Sequence, residues 1–143
     1  MAQGEYAGSP VDSALARFYR PEPQVAAGLA LREHAHACID ISDGLLADLG
    51  HIVKQSQEGA ELIWEKLPFS AAVKAYIAST GDWQLPLIAG DDYELCFTVS
   101  PENVAKLACD FTPIGKVVAG NEVVLYKAGQ IQRLHRRGYE HFS

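Results

Sequence analysis

The sequence predicts an α/β (α+β) domain in which helices pack on a mixed β-sheet, and three observations lead there. Segments with apolar residues at helical spacing alternate along the chain with short apolar runs of strand character. The length of 143 residues suits one domain, since domains most often run to about 100–150 residues. With 48% hydrophobic and 21% charged residues, the chain can bury a core of its own.

Residues 1–10, rich in glycine and small polar types, read as a flexible lead-in to a single domain over 11–143. From Pro10 to Tyr19, Val11, Ala14, Leu15 and Phe18 recur at helical spacing. Arg20-Pro21-Glu22-Pro23 breaks that helix, because proline disfavours helical geometry in the residue before it. A second helix is expected from Pro23 to about His34. Residues 36–41 read as a short, mostly buried strand that ends in Ser42-Asp43-Gly44. The helix after it is amphipathic, with Leu45, Leu46, Leu49, Ile52 and Val53 on one face.

Ala60 to Glu65 alternates like a strand, and Ser70 is a suitable N-cap for a helix over 71–79. Leu85 to Ala89 is apolar but too short to assign. A strand is expected over Tyr93–Val99. Ser100-Pro101-Glu102 then has the N-cap, first-turn proline and early acid of a helix running to about Cys109. Strands near 111–118 and 122–127 flank a hairpin-like turn, Ala119-Gly120-Asn121, and a last strand is expected near 130–134.

Composition excludes several functions. The net charge of −6, from 18 acidic and 12 basic residues, argues against a nucleic-acid partner, which needs a basic face. Cys38, Cys96 and Cys109 are odd in number and far apart, with no CxxC pair. They predict buried free thiols rather than a disulfide framework or a zinc site. No apolar run approaches the ~20 residues of a membrane helix, and Met1–Gly8 has no signal-peptide pattern. No membrane partner is therefore expected, and the expected location is cytoplasmic. His34, His36, His51 and His135 share no metal-ligand spacing and read as structural or solvent-facing. No GxSxG, Walker-type loop, HExxH or GxGxxG occurs, so no catalytic nucleophile is assigned.

Three stretches carry chemistry. In Ile39-Asp40-Ile41-Ser42-Asp43-Gly44, two carboxylates straddle a strand-to-helix turn. Carboxylate oxygens suit magnesium, which commonly takes one or two of them plus substrate phosphates. The backbone N–H groups of such a turn and the helix's positive end suit a phosphate. Capping alone would account for Ser42 or Asp43. It leaves Asp40, at the end of an apolar strand, needing a partner or a metal. In Gly90-Asp91-Asp92-Tyr93-Glu94, three carboxylates lie beside a glycine that permits close backbone approach, and a solvated turn is the alternative. The close, Arg136-Arg137-Gly138-Tyr139-Glu140-His141-Phe142, reads either as a cover for a cationic or aromatic ligand or as a terminal strand on the core.

At these stretches the chain resembles the thiamine-monophosphate kinases. The resemblance runs in order through Arg17–Pro23, Leu31-Arg32, Ala37–Ile52, Gly59-Ala60, Leu67-Pro68-Phe69, Gly90–Thr98, Ile114-Gly115 and Gly138–Phe142. Each motif alone is weak; the ordered set is specific. It implies the C-terminal domain of a two-domain fold shared with aminoimidazole ribonucleotide synthetase and selenophosphate synthetase. The implied reaction is direct, magnesium-assisted transfer of the ATP γ-phosphate to thiamine phosphate. By motif position Asp40 and Asp43 would ligate Mg2+, Ser42 would contact ATP, Asp91 would face thiamine phosphate, and Tyr139 would pack on its heterocycle. Asp91 departs from the family's usual glutamate by one methylene. The resemblance also implies an absent N-terminal domain, a homodimer in the full-length enzyme and an inactive isolated chain. The rival readings are a related synthetase or hydrogenase-maturation factor, or a non-catalytic binding or assembly module.

Overall fold

A computed structural model describes residues 10–132. Of the lead-in expected over residues 1–10, Pro10 instead begins the first helix and the rest lies outside the described residues, as do the end of the last strand and the closing motif with Tyr139. The elements in order are α1 (Pro10–Tyr19), α2 (Val25–Leu31), β1 (Ala35–Asp40), α3 (Leu45–Ser56), β2 (Gly59–Ile63) and a 3-10 turn (Trp64–Lys66). Then follow α4 (Ala71–Thr80), α5 (Leu85–Ile88), β3 (Leu95–Val99), α6 (Pro101–Val104), β4 (Gly115–Val118), β5 (Val123–Lys127) and β6 (Gln130–Gln132).

Helices and a mixed sheet are both present, as the alternating pattern predicts, but the strands divide into two sheets. One is the antiparallel pair β1–β3; the other has the order β4-β2-β5-β6. In the larger sheet β2 runs antiparallel to β4 and parallel to β5. The expected β4–β5 hairpin is therefore absent, because β2 lies between its arms. Gly59 makes this insertion possible. A Cβ there would meet Val118 Cγ2 at 3.2 Å and the Glu122 carbonyl oxygen at 3.3 Å, while the Ala60 N–H donates to that same carbonyl at 3.0 Å.

The core gathers where α3 meets the strands. Leu45, Leu49, Ile52 and Val53 pack with Ala60, Leu62, Leu87, Cys96 and Leu125. Because α3 touches β1 and β3 of one sheet and β5 of the other, its apolar face joins the two. Ser70 caps α4 as its sequence position predicts, accepting the Val73 N–H at 3.2 Å. The Lys127 ammonium lies 4.8 Å from the Trp64 ring and 4.5 Å from the Trp83 ring, a cation–π arrangement that anchors the segment leading to α5.

Several boundaries differ from expectation. Helix α2 starts at Val25 and stops at Leu31, where a turn bond from the His34 N–H to the Leu31 carbonyl replaces another helical residue. The region 85–89 is the one-turn helix α5. Helix α6 ends at Val104, five residues early. Lys106 and Leu107 bond back three residues rather than four, and Ser100 makes no side-chain cap. Strand β3 starts at Leu95 rather than Tyr93. Of the cysteines, Cys96 is buried, but Cys109 is only half-buried and Cys38 is exposed on the outer face of β1. Among the described residues no helix is long and apolar enough to cross a membrane.

Candidate functional site

The two acidic stretches meet through their backbones. Strand β1 ends at Asp40, opposite Leu95 of β3. Beyond the ladder, the Ile41 N–H donates to the Glu94 carbonyl at 2.8 Å and the Tyr93 N–H to the Ile41 carbonyl at 2.9 Å. The Asp91 N–H then donates to the Ser42 carbonyl at 3.0 Å. Segment 91–94 thus lies along segment 41–42, and Asp40, Ser42, Asp43 and Asp91 fall within one continuous backbone framework.

Glycine makes the approach possible. A Cβ on Gly90 would lie 2.0 Å from the Ser42 carbonyl oxygen, so no side chain fits there without moving backbone. Gly44 has φ 111°, and its Cβ would lie 2.8 Å from the Ile88 carbonyl. Asp91 and Tyr93 also adopt positive φ, 65° and 52°. Left-handed geometry is unusual for a bulky residue and concentrates where function demands it. It also explains why β3 cannot extend back to Tyr93. The Tyr93 hydroxyl donates to Asp91 Oδ1 at 2.8 Å, tying this loop together.

The capping alternative for Ser42 and Asp43 does not hold. The N-cap of α3 is Gly44, and no side-chain cap bond is made there. A different residue serves the turn. Asp48, 2% exposed, accepts the Ser42 N–H at 2.9 Å and the Asp43 N–H at 3.0 Å on its Oδ2. Those two amides, expected to be open to a phosphate, are therefore engaged. The reasoning that buried charge on Asp40 demands a partner also fails, because Asp40 is exposed. Its case rests on position alone.

Negative charge is concentrated here. Burial raises the Asp92 proton affinity, although the residue as a whole is exposed; Glu94 and Asp91 add to the rise and Arg17 opposes it. Arg17 of α1 forms an ion pair with Glu94. The Tyr93 hydroxyl is pushed above its ordinary value by its bond to Asp91, with the charges of Asp91 and Asp40 adding. Although Cys38 is exposed as a residue, partial desolvation of its thiol raises the proton affinity, and the charge of Asp40 raises it further.

Carboxylate oxygens are hard donors of the kind magnesium takes; Asp40 is exposed at the end of β1, and Asp43 is half-buried in the turn beyond it. Sequence spacing missed a second grouping. Ligand atoms of Asp43, Asp48 and His51 lie within 4.8 Å of one another. The signal for it was the i, i+3 placement of Asp48 and His51 on one helix face. Imidazole and an oxygen already holding two amides make this a poorer set for magnesium. Tyr139 lies outside the described residues.

Comparisons with known proteins bear on the family and the fold. Residues 7–127 match the family model of the AIR synthase related protein, C-terminal domain. The thiamine-monophosphate kinase of Escherichia coli O157:H7 is 39% identical over 140 residues, covering 92% of this chain and 43% of that protein. That of Pyrococcus abyssi is 35% identical over 123 residues, covering 86% and 39%. Among solved structures, AaThiL complexed with AMPPCP and TMP superposes with a TM-score of 0.77 at 32% identity, covering 97% of this chain and 44% of that one. Thiamine-monophosphate kinase from Stenotrophomonas maltophilia K279a gives 0.72 at 35%, covering 92% and 42%. Escherichia coli HypE, a hydrogenase maturation protein, shares the fold alone, at 22% identity and a TM-score of 0.60. The chain spans less than half the length of the curated relatives it matches. With most of its length matched in sequence and the same fold in three dimensions, the chain belongs to the AIR synthase related family, as its C-terminal domain.

Proposed function

We propose that this chain is the C-terminal domain of a thiamine-monophosphate kinase and contributes the acidic part of a site for ATP, magnesium and thiamine phosphate. The observation that carries the reading is the joining of Asp40–Gly44 to Gly90–Glu94 through three backbone hydrogen bonds and the Gly90 contact. That joining brings the backbone of Asp40, Ser42, Asp43 and Asp91 into one framework, which supports the reading. The kinase names of the relatives and the nucleotide analogue named with AaThiL support it.

In the proposed reaction an oxygen of thiamine phosphate attacks the ATP γ-phosphorus. The bond from that phosphorus to the bridging oxygen breaks, ADP leaves, and thiamine diphosphate forms. No side-chain nucleophile is needed, because phosphoryl transfer depends on positioning and charge neutralisation. Asp40 and Asp43 would hold magnesium, which when bound neutralises charge on the phosphate oxygens. Ser42 would bind the nucleotide through its hydroxyl, since its N–H is held by Asp48. Asp91, fixed by Tyr93, would orient thiamine phosphate, and Tyr139 would cover the heterocycle. The chain alone would turn over no thiamine phosphate; the rest of the site would come from an N-terminal domain, in a homodimeric and cytoplasmic enzyme.

The test joins this chain to the amino-terminal part of the Escherichia coli relative and measures thiamine diphosphate formation against magnesium concentration. The fusion should be active, and D40N/D43N should lower kcat about 100-fold or more, the scale of a lost metal contribution. An unchanged rate and magnesium dependence in the double variant would end the reading. So would turnover by the 143-residue chain alone, for the part that makes it incomplete.

A further inference from the structure

Asp48 is the most deeply buried acid among the described residues, at 2% exposure, and the proposed reaction gives it no role. Burying a carboxylate is costly unless hydrogen bonds satisfy it. Its partners are unusual for an acid in the first turn of a helix. Such acids normally serve the helix's own leading N–H groups. Asp48 instead reaches back past Gly44 to the Ser42 and Asp43 amides, at 2.9 and 3.0 Å. The ordinary capping position cannot carry this task. It is Gly44, where φ is 111° and any Cβ would strike the Ile88 carbonyl at 2.8 Å. From the other side Gly90 presses on the Ser42 carbonyl, and Asp91 donates its N–H to that same oxygen. The Ser42–Asp43 turn is thus held by Asp48 through its amides and by segment 90–91 through its carbonyl.

We propose that Asp48 is a positioning residue: by holding both amides of the Ser42–Asp43 turn, it sets the placement of Ser42 and Asp43 for their nucleotide and cation. This rests on the function proposed above and deepens it. Two charge-assisted hydrogen bonds converging on one oxygen give the turn a single geometry before any ligand arrives. Preorganisation of that kind shows as ligand affinity, not only as stability.

The test uses the 143-residue chain and two readouts, amide hydrogen exchange at Ser42 and Asp43 and Mn2+ affinity by electron paramagnetic resonance. In the wild type both amides should exchange about tenfold or more below the unstructured rate, as charge-assisted bonds require. D48N keeps an acceptor oxygen without the charge, whereas D48L removes the acceptor. Protection and Mn2+ affinity should both fall in the order wild type, D48N, D48L, with D48N partly rescuing the loss. If D48L does not fold, the wild type and D48N decide. Wild-type amides exchanging at the unstructured rate would overturn the proposal, and so would unchanged Mn2+ affinity in folded variants. If the isolated wild type binds no Mn2+, affinity is read in the fusion to the amino-terminal part of the Escherichia coli relative; no Mn2+ binding there would overturn the metal reading of Asp40 and Asp43, and exchange at 42 and 43 would judge Asp48.

Discussion

Gly90 and Gly50 differ in what a methyl group would meet. At Gly90 it would lie 2.0 Å from the Ser42 carbonyl oxygen; at Gly50, within α3, nothing lies within 4 Å. Gly90→Ala should therefore cost about 3 kcal/mol through forced backbone movement. Gly50→Ala should stabilise by about 0.5–1 kcal/mol, because alanine restricts the unfolded chain and favours the helix. Denaturant midpoints at constant slope check both, and equal midpoints for the two variants would contradict the packing described. The close approach at Gly90 was legible from its place beside three carboxylates. The role of Asp48 was not. In sequence it is one more acid in a first turn, and its reach back to two loop amides depends on the path of the chain through Gly44.

Strand β5 is central in the larger sheet, flanked by β2 and β6, whereas β4 forms an edge. Leu125 of β5 is 1% exposed and Val117 of β4 is 49% exposed. Leu125→Ala should lose about 3 kcal/mol or more through the cavity it leaves. Val117→Ala should change stability by less than about 0.5 kcal/mol. Thermal or urea unfolding measures the contrast, and comparable losses would mean that β5 is not the centre of the sheet. Elements with strong periodicity were readable: α1 and α3 stand where their apolar spacing places them. The link between β4 and β5 was misread, because Ala119-Gly120-Asn121 has the chemistry of a hairpin turn. A local turn signal carries no information about a strand arriving from sixty residues earlier. Helix α6 was overextended for a related reason. A good start signal says nothing about how far tertiary packing lets a helix run.

Stability of the whole chain should fall in alkali in a way traceable to its core. Burial raises the Cys96 thiol from an ordinary 9.0 to about 11, with smaller contributions from Cys38 and Asp48. Below pH 9 the thiol is protonated whether the chain is folded or unfolded, and it adds no pH dependence. Between pH 9 and about 11 the unfolded chain releases the proton more readily, so unfolding becomes more favourable as pH rises. Cys96→Ala should flatten the fall in unfolding free energy across that window. A slope identical to wild type would show that the thiol is not buried as described. Local pattern was enough for the mixture of helices and strands, the amphipathic face of α3 and the identity of the acidic motifs, because these depend on periodicity and residue chemistry within a few positions. The division of the strands into two sheets, the run of segment 91–94 along segment 41–42 and the hold of Asp48 on the turn beside them emerge from long-range packing alone. Those outcomes depend on backbone groups distant in sequence satisfying one another's hydrogen bonds, and no local pattern specifies which distant group will arrive.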